Sequence, residues 1–314
     1  MAIPSAPPAE SAEAPPATAG ALAAMGFGFE ARAALQAQAE ALATRLRLPL
    51  RAATGGLAGQ WLGAGMGASL EFQDHRPYQP GDDPRYLNWA AYARTGHYTM
   101  KLYREEVSPR IDVVLDCSPS MFLRPEKARR TLELFAFVNA CAARTGSRLR
   151  AFQAVPDHAG ELPADSLRNH SWEPLPHAGR LDAPALHRIP WRPQSLRVLV
   201  TDLLYPAPPE NVLGPLLHSP GRAVLFCPWS IAESDPDWNG QVELRDCESE
   251  QRRLFQISPA RLARYRANYR RHFALWDEAC RSRGVALARV ADTGSLLDKL
   301  LETALPAGAV ELCP

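Results

Sequence analysis

With 314 residues and 46% hydrophobic content, the chain can bury a substantial core, either as one large domain or as two small ones. Lys and Arg number 35 against 34 Asp and Glu, a formal net charge of +1, which excludes a global electrostatic pull toward nucleic acid or an acidic membrane and leaves partners to be chosen by local features. The six cysteines, Cys117, Cys141, Cys227, Cys247, Cys280 and Cys313, form no Cys-x-x-Cys pair. This argues against a zinc knuckle or a disulfide framework and fits a reducing cytoplasm. There is no apolar run of about 18 residues, and the N-terminus lacks the basic-then-apolar order of a signal peptide, so neither a membrane span nor export is expected.

Residues 1–28 are mostly Ala, Pro, Ser and Gly, a composition that reads as a disordered tail. From Glu30, Leu35, Ala39, Leu42 and Leu46 recur at helical spacing until Pro49. Residues 54–67 are glycine-rich but have no Gly-Lys-Ser/Thr ending and no strand before them, which excludes a phosphate loop and reads as close backbone packing. Next comes "EFQDHRPYQPGDDPRYLNWAAYARTG" (71–96), which reads as neither helix nor ordinary strand. Pro80-Gly81 before two acids signals a turn, and Pro84 forces Asp83 out of the helical region. Arg76, Asp82, Asp83 and Arg85 are placed to make charged pairs and cap amides, with Tyr78, Tyr86, Trp89 and Tyr92 packing beneath. The expectation is a pinned loop that clasps the N-terminal segment to the core; its aromatics and arginines, Arg94 among them, also suit a partner-reading surface.

Strands are expected at 97–106, 110–116, 148–155, 196–204, 222–229 and 285–291. Helices are expected from Pro125 to Gly146, from Ser258 to Gly284 and over 293–304, and a hairpin over 241–257. Strands alternating with helices imply an α/β, doubly wound sheet covered on both faces. The domains read as 1–28 tail, 29–109 N-terminal segment, 110–305 core and 306–314 C-terminal tail.

In such folds ligands sit at the carboxyl ends of strands. Two strands here end in acids: one runs into "DCSPS", giving Asp116, Ser118 and Ser120, and the other into "TD", giving Thr201 and Asp202. An acid followed by two hydroxyls at alternate positions aims three oxygens into a small volume, the donor type a hard divalent ion such as Mg2+ prefers. The same residues also serve as ordinary turn and helix-cap groups.

"DCSPSM" with "VTDLL" is similar to the metal-ion-dependent adhesion site of von Willebrand factor A domains, and the 71–96 stretch followed by "KLYREE" resembles the family catalogued as domain of unknown function 58. The resemblance implies a von Willebrand factor A-like (Rossmann-like) fold with an added N-terminal segment. It also implies a non-enzymatic protein-binding role with a MoxR-type AAA+ ATPase in assembling or activating another complex. Its implied metal ligands are Asp116, Ser118, Ser120 and Asp202. Where the family pattern offers a Thr, this chain has Arg180, a guanidinium that cannot ligate a cation and that would fill the site if it points inward. Three functions follow: a Mg2+-dependent binding module, a metal-free scaffold with a degenerate site, and a metal-dependent phosphohydrolase. The last is disfavoured because Ser118 stands where a phosphatase of the haloacid-dehalogenase type has its second Asp. The histidines show no ligand spacing. The arginines of the long helix, Arg261, Arg264, Arg266, Arg270 and Arg271, read as a solvated face rather than a nucleic-acid contact.

Overall fold

The computed structural model describes residues 21–50, 70–80, 84–105, 108–176, 182–248 and 251–313. Contacts divide the chain into two units, Met1–Thr54 with Pro109–Pro314, and Gly55–Ser108. The expected segment 29–109 is therefore split, because residues up to Thr54 belong with the core. The glycine-rich stretch 54–67 lies outside the described residues.

The first unit opens with α1 (Ala21–Ala24), α2 (Phe29–Ala43) and the short strand β1 (Leu46–Arg47). Leu35, Ala39 and Ala43 form the buried face of α2, as helical spacing requires. Residues 21–28 correct the expected tail. Leu22 is 0% exposed and Phe27 is buried, both in the main hydrophobic cluster, and the Leu22 amide donates to Glu173 at 2.9 Å. Composition misjudged them because one or two large side chains in an Ala-rich run are enough once a pocket receives them.

The second unit corrects the reading of 71–96 as a loop. β2 (Leu70–Pro77) runs into a 3-10 turn at Pro84–Tyr86, then α3 (Trp89–Thr95), then β3 (Thr99–Glu105). β2 and β3 pair antiparallel, with a register shift between Phe72 and Asp74 that masks the alternation a strand normally shows. Asn88 caps α3 by accepting from the Ala91 amide at 3.1 Å, and Gly96 ends it with φ +72, a left-handed turn that glycine adopts without strain. The aromatics do not lie beneath the segment. Tyr92 stacks on Tyr98 at 4.4 Å, Tyr78 lies 6.1 Å from Tyr98, and Trp89 meets Tyr92 edge-on while remaining 59% exposed. Arg85 and Arg94 are exposed, and Arg94 Nε donates to the Ala90 carbonyl. Arg76 pairs through its backbone with Met100. Gly81, Asp82 and Asp83 lie outside the described residues.

The remainder of the first unit runs β4 (Arg110–Asp116), α4 (Pro119–Phe122), α5 (Pro125–Arg144), β5 (Arg148–Val155), β6 (His158–Leu162), α6 (Ala164–Arg168), β7 (Leu196–Val200), α7 (Glu210–Leu217) and β8 (Arg222–Trp229). It continues with α8 (Ile231–Ser234), β9 (Gly240–Arg245), β10 (Arg252–Ile257), α9 (Pro259–Ser282), β11 (Ala286–Ala291), α10 (Leu296–Lys299) and β12 (Glu311–Leu312). β12 pairs with β1, and Ala309 and Val310 are buried, so residues 306–313 pack rather than trail. β7 stops at Val200, four residues short of expectation, because the chain turns there to form the site described below.

Six strands form the central sheet in the order β11-β8-β7-β4-β5-β6. All neighbours are parallel except β5 and β6. Counted along the chain this is the doubly wound order 3-2-1-4-5-6, whose direction reverses between its first and fourth strands, here β4 and β7. Alternate side chains feed two cores. Ile111, Val113, Leu115, Val198 and Val200 join α2, α5 and α10 on one face, and Val114, Leu199 and Leu225 join α7 and α9 on the other. Leu22→Ala is expected to cost about 2–5 kcal/mol in urea denaturation, the range for a buried leucine; a near-zero loss would return residues 21–28 to the status of a tail.

Candidate functional site

β4 and β7 are neighbours at the switch point, so both end at the same rim of the sheet. Asp116 is the last residue of β4, and Thr201 and Asp202 follow β7 directly. All three are buried. The Thr201 hydroxyl donates to Asp116 Oδ2 at 2.6 Å, joining the two loops. The Ser118 amide donates to Asp116 Oδ1 at 2.9 Å, and the Ser118 and Ser120 hydroxyls lie 3.2 Å apart. Ser120 in turn hydrogen-bonds Asp202. The sequence-derived set Asp116, Ser118, Ser120, Thr201 and Asp202 is thus one connected cluster. Arg180 lies outside the described residues.

The loop after β7 carries backbone strain. Leu203 has φ +59, an uncommon conformation for a bulky residue that persists only where its surroundings enforce it. Here the Leu203 amide reaches Thr201 Oγ1 at 3.3 Å, and its carbonyl lies 2.7 Å from His272 Nε2 on α9. With a carbonyl as partner, Nε2 is the protonated ring nitrogen.

Three charged residues absent from the sequence reading complete the cluster. Lys127, in the first turn of α5, is 0% exposed, and its Nζ lies 2.7 Å from Asp202 Oδ2 and 2.5 Å from Glu233 Oε1. Glu233 belongs to α8, where it also closes a capping box with Ser230. Glu248, at the tip of the β9–β10 hairpin, accepts from the Ser120 amide. Only Lys127 left a trace in the sequence. A cation in the first helical turn opposes the helix dipole, and such a local violation marks a site where tertiary contacts prevail.

Electrostatics follow from burial and this pairing. Burial opposes charge on Lys127, but Asp202 and Glu233 outweigh it and hold the ammonium well above its usual value. Burial would raise Asp202; the charge and hydrogen bond of Lys127, helped by the Leu204 amide and Ser120, hold it below the usual carboxylate range. Among the described residues Asp116 has no such cation, and burial followed by the charge of Asp202 pushes it up to about 6. Glu248 is pushed up to about 7, first by burial and then by Asp116 and Asp202.

Both acids of the set are engaged by protein donors. Asp202 commits Oδ2 to Lys127 and Oδ1 to the Leu204 amide, and Asp116 commits its two oxygens to Ser118 and Thr201. Among the described residues, no three His, Cys, Asp or Glu side chains group as a metal centre requires. The positive charge that an ion would bring to Asp202 is already supplied by the ammonium of Lys127.

Lys127→Met leaves Asp202 and Glu233 buried without compensation and is expected to cost about 3–5 kcal/mol in urea denaturation at neutral pH. Adding Asp202→Asn should return part of that loss; a single-variant loss under about 1 kcal/mol would make the bridge peripheral. Asp116 predicts a pH dependence. With its folded value raised, the folded state binds the extra proton between the ordinary carboxylate range and about 6, so stability falls as pH rises through that window. Asp116→Asn should flatten this part of the stability profile, and an unchanged slope would show that Asp116 is not its source.

The sequence comparisons agree with the geometry at the level of family. The profile described as "Protein of unknown function DUF58" matches residues 74–275. Uncharacterized protein Rv1480 of Mycobacterium tuberculosis and Uncharacterized protein Mb1516 of Mycobacterium bovis are each 29% identical to the chain over 224 residues, covering 66% of it and 69% of their own length. No solved structure matches. Among the described residues, no helix is long and apolar enough to cross a membrane. With the signature segment from residue 74 on, both acid-ended strands and α9 up to residue 275 inside one matched span, the chain belongs to the DUF58 family.

Proposed function

We propose that this chain is a non-enzymatic protein-binding module of von Willebrand factor A-like architecture. In this reading it acts with a MoxR-type AAA+ ATPase in the assembly or activation of another protein complex, and its rim site works without a bound divalent ion. The observation that carries the reading is the Lys127 ammonium 2.7 Å from Asp202. It supplies internally the charge that the adhesion-type site takes from a metal, so the two rim loops are held together whether or not an ion is available. The donor set points the same way, because each carboxylate oxygen of Asp116 and Asp202 already has a donor.

A hydrolytic role finds little support. The Ser118 hydroxyl faces Ser120 rather than a histidine base, and Lys127 is held above its usual value, whereas a nucleophilic lysine needs its value depressed. Contact with the partner is assigned to the exposed aromatics Trp89 and Tyr98, with the half-buried Tyr92 between them, since Trp and Tyr dominate protein hot spots. A Mg2+-dependent adhesion site is the second reading, favoured by the paired Ser118 and Ser120 hydroxyls beside Asp116.

The test is capture of a MoxR-type AAA+ ATPase by the purified full chain, with Mg2+ and with EDTA. Capture is expected to be equal in both and to weaken by about 2 kcal/mol or more in Trp89→Ala. Loss in EDTA that Mg2+ restores would replace the ion-free reading with the adhesion-site one. Turnover of a phosphate monoester that Asp116→Asn abolishes would overturn the non-enzymatic assignment.

A further inference from the structure

Beside the rim cluster, β8, β11 and α9 line an open cavity of about 360 Å3, within the size range of small-ligand sites. Its walls carry three guanidinium groups, Arg266, Arg270 and Arg289, and one carboxylate, Asp235. Arg289 projects from β11 into an aromatic cage, with its guanidinium carbon 3.6 Å from the Phe273 ring centre, 5.2 Å from that of Trp229 and 5.4 Å from that of Tyr269. It donates to the Tyr269 hydroxyl at 3.0 Å, a neutral partner. Among the described residues no carboxylate lies within salt-bridge distance of Arg289, and the Nε groups of Arg289 and Arg266 are buried without a hydrogen-bond partner. Asp235 pairs with Arg266 at 2.5 Å and is the only acid among the described residues that line the cavity.

A guanidinium stacked on rings is held in one orientation, and the N–H groups of Arg289 beyond the buried Nε can still donate to an oxyanion. Three positive charges against one negative leave the lining with an excess of two, the charge of a phosphate monoester dianion and twice that of a carboxylate. We propose that this cavity binds a phosphate dianion, with Arg289 as the fixed fork and Arg266 and Arg270 closing over the remaining oxygens. Two of the arginines that read as a solvated stripe in the sequence thereby gain a role through Arg289, a residue on another element. The cavity also adjoins the rim cluster through α9, because the Tyr265 hydroxyl donates to the Glu233 carbonyl at 2.6 Å. The assignment is independent of whether the rim site holds a metal.

The source of the phosphate is open to direct measurement. Titration calorimetry of the full chain at constant ionic strength would use inorganic phosphate, a phosphoserine peptide, the same peptide unphosphorylated, and acetate. Saturable binding of inorganic phosphate or the phosphopeptide is expected, with the two affinities showing whether a free ion or a phosphorylated protein is the better ligand. Arg270→Glu, at an exposed position that tolerates charge reversal, and Arg289→Lys, which keeps charge but loses the fork, should each weaken it by about tenfold or more. Absence of saturable phosphate binding, binding unchanged in both variants, or acetate binding as tightly as phosphate would overturn the proposal.

Discussion

The rim of this molecule is organised around one buried ammonium. Lys127 bridges Asp202, which follows a central strand, and Glu233, which follows the neighbouring strand, and it does so from the helix that follows β4. The connections that follow β4, β7 and β8 are therefore locked at one point. Removing two carboxylates and an ammonium from water is costly, and the attraction between them offsets that cost only when geometry and further hydrogen bonds are good. Here they are: Asp202 also receives the Leu204 amide, and Glu233 the Ser230 amide. Such a bridge specifies the loop arrangement more than it adds stability, since an apolar replacement of equal volume would also fill the space but would not dictate which loops meet.

The opposite end of the same strands shows how a purely structural solution differs. Asp112, fully buried near the start of β4, is matched by the guanidinium groups of Arg150 and Arg192, and the Arg192 amide supplies a further donor. Close by, Arg197 is buried over Trp191 and donates to backbone and Ser219. Gly221 is required there, because a Cβ would stand 2.7 Å from the Ser195 carbonyl. At that end positive groups outnumber the acid. Among the described residues at the carboxyl rim, four carboxylates, Asp116, Asp202, Glu233 and Glu248, stand near one ammonium, which contacts Asp202 and Glu233. A fold optimised for stability alone has no reason to keep that imbalance, which is why the carboxyl rim and not the amino end is the candidate site.

Much of this arrangement was legible in the sequence. Short aliphatic strands ending in acids, Pro125 opening a helix and Gly146 just past its end, and the alternation of strand and helix led to the doubly wound sheet, and its switch point led to Asp116 and Asp202. The misses have physical causes. β2 escaped notice because a register shift interrupts its alternation, and α3 is short and rich in residues that also suit loops. Residues 21–28 looked like tail because composition averages over a window, whereas Leu22 needs only one receptive hollow. Lys127 was passed over because its partners are 75 and 106 residues away in the chain. Glu248, in a polar hairpin tip, resembles any turn acid until the tip is seen to reach Ser120.

The imbalance at the rim also constrains what the site can accept. Asp116 and Glu248 sit on the side of the cluster that Lys127 does not neutralise, and both are pushed upward, to about 6 and about 7, by burial and by each other's neighbours. Near neutral pH that side holds a proton only in part and carries more negative charge than its surroundings stabilise. A hydrogen-bond donor reaching that side is favoured because it stabilises the charged form of both acids. A further carboxylate there is disfavoured by like-charge repulsion. The Arg-lined cavity adjoining the cluster through α9 has the opposite preference, so two neighbouring sites differ in the sign of charge they favour. A partner presenting an acidic or phosphorylated group beside a basic one would match both at once, whereas reversing that order would set like charges together at each, which is how electrostatic arrangement fixes register in a protein interface.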